Sequence, residues 1–550
     1  MRKRGIGGLL CAVAVFIVGQ PGAGAADKPK PNVDSFYTSP SAAKLAHLKP
    51  GSVIRTRPIT YHETSGVPAT YNGVQLLYRT TTELGKPTVT VTSLIEPHTT
   101  THQLVSDQWF YDALQPGCDP SYWLNNGGSS DGGTNQDEGP LVGTFLAAGQ
   151  AVVISDYEGE DLAWTSAQQE GWQTLDGIRA ALNYTTSNTD PLTGTVALPS
   201  DTKVGLIGYS GGAIAGEWAA ELAHSYAPDV SKRIVGTALG GVYVYPYHNL
   251  QYISGSPKWS GVIPGGLLGT ARGFGIDSDK YASAYGRKLA DDASKVCIDQ
   301  LLSKHPGLKY SQLVKPQYAD FAKVPEFVRA NNKSIMSTGG TPTAPMYIAQ
   351  GVDPDPTGPQ GEMTPPSPKY GPGDGVMLMR DTEALAYTYC HRGVPVQYQV
   401  FNSGHTNTFL SYFPTGAIGF LNDRFAAVTV PTPATSSCST LTPGNSLKPL
   451  PVPPSDPSSA SSHRSSSGSG NRVSNGSTPA AKSATDAIAS TGTPTGQLLL
   501  WATLLLGIGV GLLWVARRPA AAAVAIVVPQ RLRPRPTARP LPYPREHRRT

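Results

Sequence analysis

The segment Lys203–Trp218, KVGLIGYSGGAIAGEW, constrains the fold of this chain more than any other stretch. Its apolar run Val204–Ile207 is typical of a short buried strand. The run leads into GYSGG at Gly208–Gly212, a match to G-x-S-x-G, and small and apolar residues at helical spacing follow from Ala213. A strand that turns sharply at a serine and passes directly into a helix is a nucleophile elbow. The segment therefore predicts a parallel α/β sheet with Ser210 as a nucleophile at the end of one strand.

The pattern G-x-S-x-G is short, and a second match at Gly128–Gly132 shows that it has to be judged by its context. Glycine makes up 60 of the 550 residues and serine is also common, so an accidental match is expected in this chain. The second match lies in NNGGSSDGGTNQ, which follows no apolar run and precedes no helix-forming segment. Such a stretch is typical of a loop. We therefore assign the nucleophile to Ser210.

The first 26 residues predict a signal peptide for export. They combine basic residues at positions 2–4 with an apolar stretch at 6–18 and the small residues AGA at 23–25. This order is typical of a secretory signal that is removed by cleavage, here near residue 26.

The C-terminal part of the chain predicts a stalk and a membrane anchor. Residues 428–496 are rich in Ser, Thr, Pro and Gly and cannot bury enough apolar surface to become ordered, so we expect a disordered linker. Residues 497–516 are apolar, and as a helix they are about long enough to cross a bilayer. Because basic residues stay on the cytoplasmic side, the Arg- and Pro-rich tail 517–550 is expected inside the cell and the body of the protein outside.

The net charge of +5 belongs to the ends of the chain rather than to its body. Nine arginines lie beyond residue 516 and three basic residues lie in the signal peptide, so the exported body is net acidic. A protein that binds nucleic acid needs a basic surface. The charge therefore predicts no nucleic-acid partner. The basic tail is instead expected to lie at the membrane, next to anionic lipid.

Residues 27–427 alternate between strand and helix patterns and predict one large α/β domain with a mostly parallel sheet. The strand patterns are TVTVTSLIEP, AVVISDYEG, VGLIGYS, APMYIAQG and VPVQYQVF. The helix patterns lie in TLDGIRAALNYTT, in DTEALAYTYCHRG and directly after Ser210. Residues from about 241 to 340 separate two of the predicted strands, so we expect them to form a cap over the site.

Four cysteines remain once the signal peptide is removed: Cys118, Cys297, Cys390 and Cys438. An even number in an exported chain predicts two disulfides, and three pairings are possible. The cysteines form no C-x-x-C pair, so the sequence predicts no zinc site.

A nucleophilic serine needs a histidine within hydrogen-bond reach and a carboxylate that orients this histidine. In a sheet with this elbow, the chain order is serine, acid, histidine, which leaves His391 and His405 as candidates for the base. His391 lies at the end of a predicted helix, where a basic residue is favourable for the helix alone. His405 lies in the loop FNSGHTNTF after the predicted strand Val396–Phe401, and we assign the base to it.

Three aspartates are candidates for the acid. Asp353 and Asp355 closely follow the predicted strand Met346–Ala349, but each is next to a proline, where aspartate is common in turns. Asp374 comes after the Pro- and Gly-rich stretch Pro354–Gly373, just before the next predicted helix. The residues alone leave the choice between the three aspartates open.

The chain resembles the microbial secretory lipase family over Phe36–Phe425. The resemblance rests on the motifs YDALQPGCDPSY, EGPLVGTFLAAGQAVVISDYEG, GYSGG and DGVMLMRDTEALAYTYCHRGVPVQYQVFNSGHTNTF. It implies an α/β-hydrolase fold with a mostly parallel central sheet and an inserted helical cap. It also implies cleavage of carboxylic esters and acylglycerols without a cofactor or a metal.

The resemblance implies that Ser210 is the nucleophile, His405 the base and Asp374 the acid. Asp374 is favoured because the segment Asp374–Asp381 has the spacing of the family's acid motif. The stretch Pro354–Gly373 is an insertion relative to the family, and we expect it to move no catalytic atom.

The resemblance further implies the oxyanion donors and the disulfides. The backbone N–H groups of Gly211 and Asp112 would bind the oxyanion. The pairings would be Cys118–Cys297 and Cys390–Cys438.

The expected function is that of an exported lipase or esterase at the cell surface. An acyltransferase or a serine peptidase could use the same three residues. A surface-anchored protein that keeps the fold without catalysis is a further alternative.

Overall fold

The computed structural model describes residues 28–64, 67–126, 134–187, 198–430 and 433–454. The predicted signal peptide, most of the predicted linker, the predicted transmembrane segment 497–516 and the tail 517–550 lie outside the described residues, as does the second G-x-S-x-G match. Within the described ranges, no helix is both long enough and apolar enough to span a membrane.

One mixed sheet organises the described part of the chain. Its strands are β1 (Val53–Thr64), β2 (Val67–Thr81), β3 (Pro87–Glu96), β4 (Gln103–Gln108), β5 (Ala151–Ser155), β6 (Lys203–Tyr209), β7 (Ile234–Gly240), β8 (Met346–Gly351) and β9 (Val396–Phe401). Their order across the sheet is β1-β2-β3-β5-β4-β6-β7-β8-β9. The six strands from β5 to β9 in this order are parallel, whereas β1, β2 and β3 are antiparallel to their neighbours.

Helices cover both faces of the sheet. The helices of the described ranges are α1 (Ala42–Ala46), α2 (Pro120–Asn125), α3 (Asn135–Ala147), α4 (Ala167–Ser187), α5 (Gly211–Tyr226), α6 (Pro228–Ser231), α7 (Pro246–Ile253), α8 (Ile263–Phe274), α9 (Ala284–Ala293), α10 (Tyr310–Leu313), α11 (Pro325–Lys333), α12 (Met379–His391), α13 (His405–Ser411) and α14 (Phe413–Ala426). Residues of α4, α5 and α12 pack against one face of the sheet, and residues of α2, α3 and α14 pack against the other.

The predicted strand at the elbow, β6, illustrates why both faces are covered. Val204 and Leu206 belong to the apolar cluster on one face, and Ile207 and Tyr209 belong to the cluster on the other. A central parallel strand is buried on both faces, so its sequence is a continuous apolar run instead of an alternation of apolar and polar residues.

The segment between β7 and β8 carries α7 to α11 and has an apolar core of its own. This core includes aromatic residues such as Tyr252, Trp259 and Phe321. Val376 and Met377, from the loop after β8, also belong to it. The segment corresponds to the predicted cap at about 241–340, and it meets the main body at the end of the sheet where β6 and β8 end.

Residues 433–454 run along the body, although their composition assigns them to a linker that begins at residue 428. The Ser437 amide donates to the Val396 carbonyl over 2.7 Å, and the hydroxyl of Tyr245, the residue just before α7, donates to the Lys448 carbonyl over 2.8 Å. Leu441 packs against the apolar cluster of the sheet. Scattered leucines among Ser, Thr and Pro residues are enough to hold this short segment, and an average over composition does not detect them.

Both disulfides have the pairing that the resemblance implies. Cys118–Cys297 joins the loop after β4 to the segment between α9 and α10. Cys390–Cys438 joins the C-terminal end of α12 to the segment 433–454 across 48 residues of chain.

We predict that the double variant Cys390→Ser/Cys438→Ser unfolds at a lower temperature than the wild type. A crosslink that closes a loop of this length restricts the unfolded chain and contributes about 4 kcal/mol in the chain-entropy estimate. Thermal unfolding followed by circular dichroism measures the difference. An unchanged melting temperature would show that the bond adds no stability to the segment it closes.

Candidate active site

Ser210 lies between β6 and α5 in a backbone conformation that side chains rarely adopt, with φ 53° and ψ −119°. Such a conformation costs about 1–3 kcal/mol and persists only where the surroundings enforce it. The Ser210 amide donates to the Gly240 carbonyl of β7 over 2.9 Å. A Cβ on Gly212 would lie 1.8 Å from the Gln108 carbonyl oxygen, so only glycine allows α5 to begin this close to β4. The turn therefore presents Ser210 at the C-terminal end of the sheet.

Ser210, His405 and Asp374 form a chain of hydrogen bonds. His405 Nε2 lies 2.9 Å from Ser210 Oγ, and His405 Nδ1 lies 2.8 Å from Asp374 Oδ2. His405 and Asp374 are buried. A carboxylate only accepts hydrogen bonds, so Nδ1 carries the proton and Nε2 is left free to accept the proton of the serine hydroxyl. This arrangement can activate Ser210 as a nucleophile.

The Asp374 carboxylate is held in place by the loop that carries it. Its Oδ1 accepts from the amides of Val376 and Met377 over 3.0 and 2.7 Å. Its Oδ2 accepts from Gln350 Nε2, at the end of β8, over 3.1 Å. The His405 amide donates to the Asp374 carbonyl over 2.7 Å, so backbone and side chain both connect the two residues.

The other candidates for the acid and the base make their hydrogen bonds elsewhere. Asp353 is buried and accepts from the amides of Asp355 and Glu362 over 3.1 and 2.7 Å. Asp355 is exposed and accepts from the Thr357 hydroxyl. His391 is exposed, and its Nδ1 lies 2.9 Å from the Tyr387 carbonyl oxygen one turn earlier in α12. The Asp353 carboxylate thus holds backbone amides of the inserted stretch in place, and His391 lies at the C-terminal end of α12.

Asp112 and Gly211 lie next to Ser210, on the side predicted to bind the oxyanion. Asp112 has a positive φ of 39° in the loop after β4. Its carboxylate packs against Gly211, where a Cβ would lie 1.6 Å from Asp112 Oδ1. Burial raises the pKa of Asp112 to about 7, and the charge of His405 acts in the opposite direction. Asp112, Ser210 and Gly211 line the same cavity.

The loop that carries Asp112 is anchored by residues that the sequence analysis did not single out. The Ala113 amide donates to Glu158 Oε2 over 3.2 Å, and the Phe110 amide donates to Glu138 Oε1 over 3.1 Å. The Tyr157 hydroxyl donates to the Trp109 carbonyl. Burial raises the pKa of both Glu158 and Glu138. Their sequence signal was visible: Glu138 in DEGP and Glu158 in SDYEG each lie close to an apolar stretch. A carboxylate that becomes buried there needs a hydrogen-bond donor, which the loop amides supply.

An apolar cavity of about 110 Å³ opens at Ser210 between the sheet and the cap. Apart from Asp112 and the elbow, it is lined mainly by apolar residues of the cap, of α5 and of the neighbouring loops: Trp164, Ile214, Leu250, Ile253, Trp259, Val262, Ile263, Leu267, Phe321, Phe327, Val376 and Met377. A second cavity of about 260 Å³ lies inside the cap, and Leu267 and Phe327 line both. The nucleophile therefore faces a space that suits an apolar group.

Two aromatic rings flank the His405 imidazole. The Tyr209 ring lies 5.0 Å from it, and the Tyr209 hydroxyl donates to the His405 carbonyl over 2.8 Å. The Trp259 indole, from the cap, forms a T-shaped pair with it, with the ring centroids 5.3 Å apart. The residues described here include no group of three or more His, Cys, Asp and Glu side chains that could hold a metal ion.

The chain matches the sequence model of the secretory lipase family over residues 128–431. It is 30% identical over 408 residues to a protein of Mycobacterium tuberculosis described as a probable inactive lipase, a match that covers 72% of this chain and 82% of the relative. It is 31% identical over 425 residues to lipase A of Arthroderma benhamiae, which covers 73% of this chain and 81% of the relative.

The structure is similar to the crystal structure of Candida antarctica lipase A in its closed state. The TM-score is 0.64 at 25% identity, and the match covers 78% of this chain and 92% of the other. This likeness confirms the predicted α/β-hydrolase fold, with a sheet that is mixed because β1, β2 and β3 are antiparallel to their neighbours.

Proposed function

Because the chain belongs to the secretory lipase family and is a carboxylic ester hydrolase, we propose that it cleaves esters and acylglycerols by acyl transfer to Ser210. The observation that carries this proposal is the chain of hydrogen bonds from Asp374 through His405 to Ser210. It ends at the wall of an apolar cavity, where an acyl chain would be favoured over water.

In the first step, Ser210 Oγ forms a bond with the ester carbonyl carbon while His405 Nε2 takes the hydroxyl proton. The carbonyl oxygen becomes an oxyanion, which the backbone N–H groups of Gly211 and Asp112 bind. Loss of one such donor typically costs about 3 kcal/mol of transition-state stabilisation. The resulting imidazolium is stabilised by the Asp374 carboxylate and then gives its proton to the leaving alcohol as the ester C–O bond breaks.

In the second step, water replaces the alcohol. His405 Nε2 takes a proton from the water molecule as its oxygen attacks the carbonyl carbon of the acyl-enzyme. The bond to Ser210 Oγ then breaks, the serine regains a proton from the imidazolium, and the carboxylic acid leaves. Every proton is accounted for by His405, and the cycle uses neither a cofactor nor a metal.

The test is a direct comparison of substrate classes with the purified protein. We would assay p-nitrophenyl esters of increasing acyl length, an emulsified triacylglycerol and a peptide panel, each with and without a metal chelator. The proposal expects release of acid from the esters and acylglycerols in both conditions. Cleavage of peptides without cleavage of esters would favour a serine peptidase, and transfer of the acyl group to an added alcohol in preference to water would favour an acyltransferase.

A non-catalytic role is the second candidate, because the Mycobacterium tuberculosis relative is described as a probable inactive lipase. The present chain has the serine, the histidine and the aspartate in hydrogen-bond contact. A protein that had lost catalysis would have no need of these contacts, so they favour the active enzyme.

Export and anchoring are part of the proposal. The signal peptide at 1–26 would direct the chain out of the cytoplasm, and the apolar segment 497–516 would hold it in the membrane. The body would then lie at the cell surface at the end of a Ser- and Pro-rich stalk, with the basic tail inside.

We predict that a protease added to intact cells releases esterase activity into the medium. The stretch 455–496 is rich in Ser, Pro, Gly and Thr and is a favoured cleavage site in a chain of this topology. The control is a chain that ends at residue 496, which should appear in the medium without protease. Activity that stays with the cells after protease treatment would contradict the proposed topology.

A further inference from the structure

Glu362 is a buried carboxylate in the inserted stretch Pro354–Gly373, only 1% exposed. Its side-chain carbons lie against two glycines that are neighbours of the proposed catalytic residues. A Cβ on Gly375, directly after Asp374, would lie 2.1 Å from Glu362 Cβ, and a Cβ on Gly404, directly before His405, would lie 2.5 Å from Glu362 Cγ. The insertion thus places a charged side chain between the segments that carry the acid and the base.

Both oxygens of this carboxylate are occupied by donors. Oε1 accepts from the amide of Thr406, the residue after His405, over 2.9 Å. Oε2 accepts from the Trp259 indole Nε1 over 3.1 Å and from Lys258 Nζ, with which it also forms an ion pair. The ammonium of Lys258 lies 3.3 Å from the Thr406 hydroxyl as well. Because Lys258 and Trp259 belong to the cap, Glu362 connects the cap to the start of α13.

These contacts act on His405 from two directions. Through the Thr406 amide, Glu362 fixes the backbone at the point where α13 begins, since Gly404 offers no side-chain cap there. Through the indole N–H, it fixes the plane of the Trp259 ring, which lies at 86° to the His405 ring. The Lys258 ammonium balances the charge of the carboxylate, so the cluster restrains the imidazole mainly by geometry.

We propose that Glu362 is a positioning residue, supplied by the insertion, that locks the His405 imidazole and the cap indole Trp259 in the geometry needed for proton transfer. This proposal rests on the proposed function, in which His405 is the base. The expectation that Pro354–Gly373 moves no catalytic atom stays a prediction, and the proposal adds that this stretch contacts the residues on both sides of His405.

The decisive variant is Glu362→Gln, which keeps the size of the side chain. If its amide oxygen accepts from Thr406, its NH2 group faces the N–H of Trp259 and the ammonium of Lys258, and if it is flipped, the NH2 group faces the Thr406 amide. A donor meets a donor in both cases, so the network cannot close. We expect kcat per active site to fall about 10- to 100-fold, the loss typical of a misplaced catalytic group. We expect KM to change less than about threefold, because Glu362 does not line the substrate cavity and Trp259 keeps its ring in the cavity wall.

The matched control is Asp355→Asn, which removes an exposed carboxylate from the same insertion and should leave kcat unchanged. Active sites are counted by complete labelling of Ser210 with a fluorophosphonate, so that misfolded protein does not count as slow enzyme. A second readout needs no substrate: the downfield proton signal of the His405–Asp374 hydrogen bond should shift in Glu362→Gln and stay in place in Asp355→Asn.

A double-mutant cycle with Trp259→Phe tests the connection itself. Phenylalanine keeps a ring against His405 but has no N–H for Glu362. The two substitutions should be clearly non-additive in kcat, because they break one network. If Glu362→Gln does not fold, Trp259→Phe by itself tests the proposal. An unchanged kcat and an unchanged proton signal in Trp259→Phe would then overturn it.

A kcat per site in Glu362→Gln within twofold of the wild type would also overturn it, as would an additive cycle. Failure of the proposed function looks different: the wild type would then cleave no ester, or Ser210→Ala would be as active as the wild type. In that case the proton signal still reports whether Glu362 positions His405.

Discussion

Ser210→Ala is expected to abolish ester hydrolysis, with a fall in kcat on the order of 10⁶-fold, as for other enzymes in which a serine, a histidine and an acid act as a unit. The substitution removes the atom that would form the acyl-enzyme in the proposed mechanism, and the Oγ to His405 Nε2 contact of 2.9 Å disappears with it. The fold should survive, because alanine at φ 53° carries a backbone strain similar to that of serine. Initial rates with a p-nitrophenyl ester, together with a circular dichroism melt, measure both effects.

The chain itself offers a matched control. Ser130→Ala alters the serine of the second G-x-S-x-G match and should leave hydrolysis unchanged. Undiminished turnover by a folded Ser210→Ala variant would remove the basis of the acyl-enzyme mechanism. If the wild type is inactive on every ester, the non-catalytic alternative is favoured, since a complete set of contacts would then exist without the reaction.

Asp374→Asn should lower kcat about 10⁴-fold, because an amide sets the wrong tautomer of the histidine. Two backbone amides, of Val376 and Met377, donate to Asp374 Oδ1, and an asparagine would keep its oxygen there. Its NH2 group would then face His405 Nδ1 and donate to it. The imidazole proton would have to move to Nε2, where it points at Ser210 and can no longer accept the serine proton.

Asp355→Asn is the control for this substitution and should have little effect on kcat, because its carboxylate is exposed in a turn. Asp353→Asn is expected to be intermediate, since Asp353 holds the Glu362 amide. Both variants and Asp374→Asn are compared by kcat and KM on one ester. A severe loss in Asp355→Asn combined with a mild one in Asp374→Asn would show that the acid has been assigned to the wrong aspartate.

The sequence predicted the parts of the fold whose signal is local. The apolar run, the serine between glycines and the helix at Lys203–Trp218 correspond to β6, the elbow and α5. The predicted strands around β3, β5, β8 and β9 are also present. The sequence patterns did not predict β1, β2, β4 and β7. β1 and β2 carry many polar residues, β4, QLVSDQ, has a weak pattern of its own, and in β7, IVGTALG, a glycine and a threonine interrupt the apolar run.

The candidate site was predicted unevenly for a physical reason. His405 could be assigned from chain order and the strand before it, but the three aspartates could not be separated by the residues alone. Which of them reaches His405 depends on how the loop after β8 returns to the sheet, and that path is set by packing against the cap. The resemblance selected Asp374, and it is Asp374 that the structure brings within 2.8 Å of His405 Nδ1.

By itself, then, the sequence determined the elbow at Ser210 and the alternation of strands and helices, because each is encoded by neighbours along the chain. Only the tertiary structure decided the course of residues 433–454 over the body, the apolar cavity under the cap and the contact of Glu362 with both Thr406 and Trp259. These features join residues that lie from tens to hundreds of positions apart. Their free energy comes from burial and from pairing of donors with acceptors across the fold, which no local pattern records.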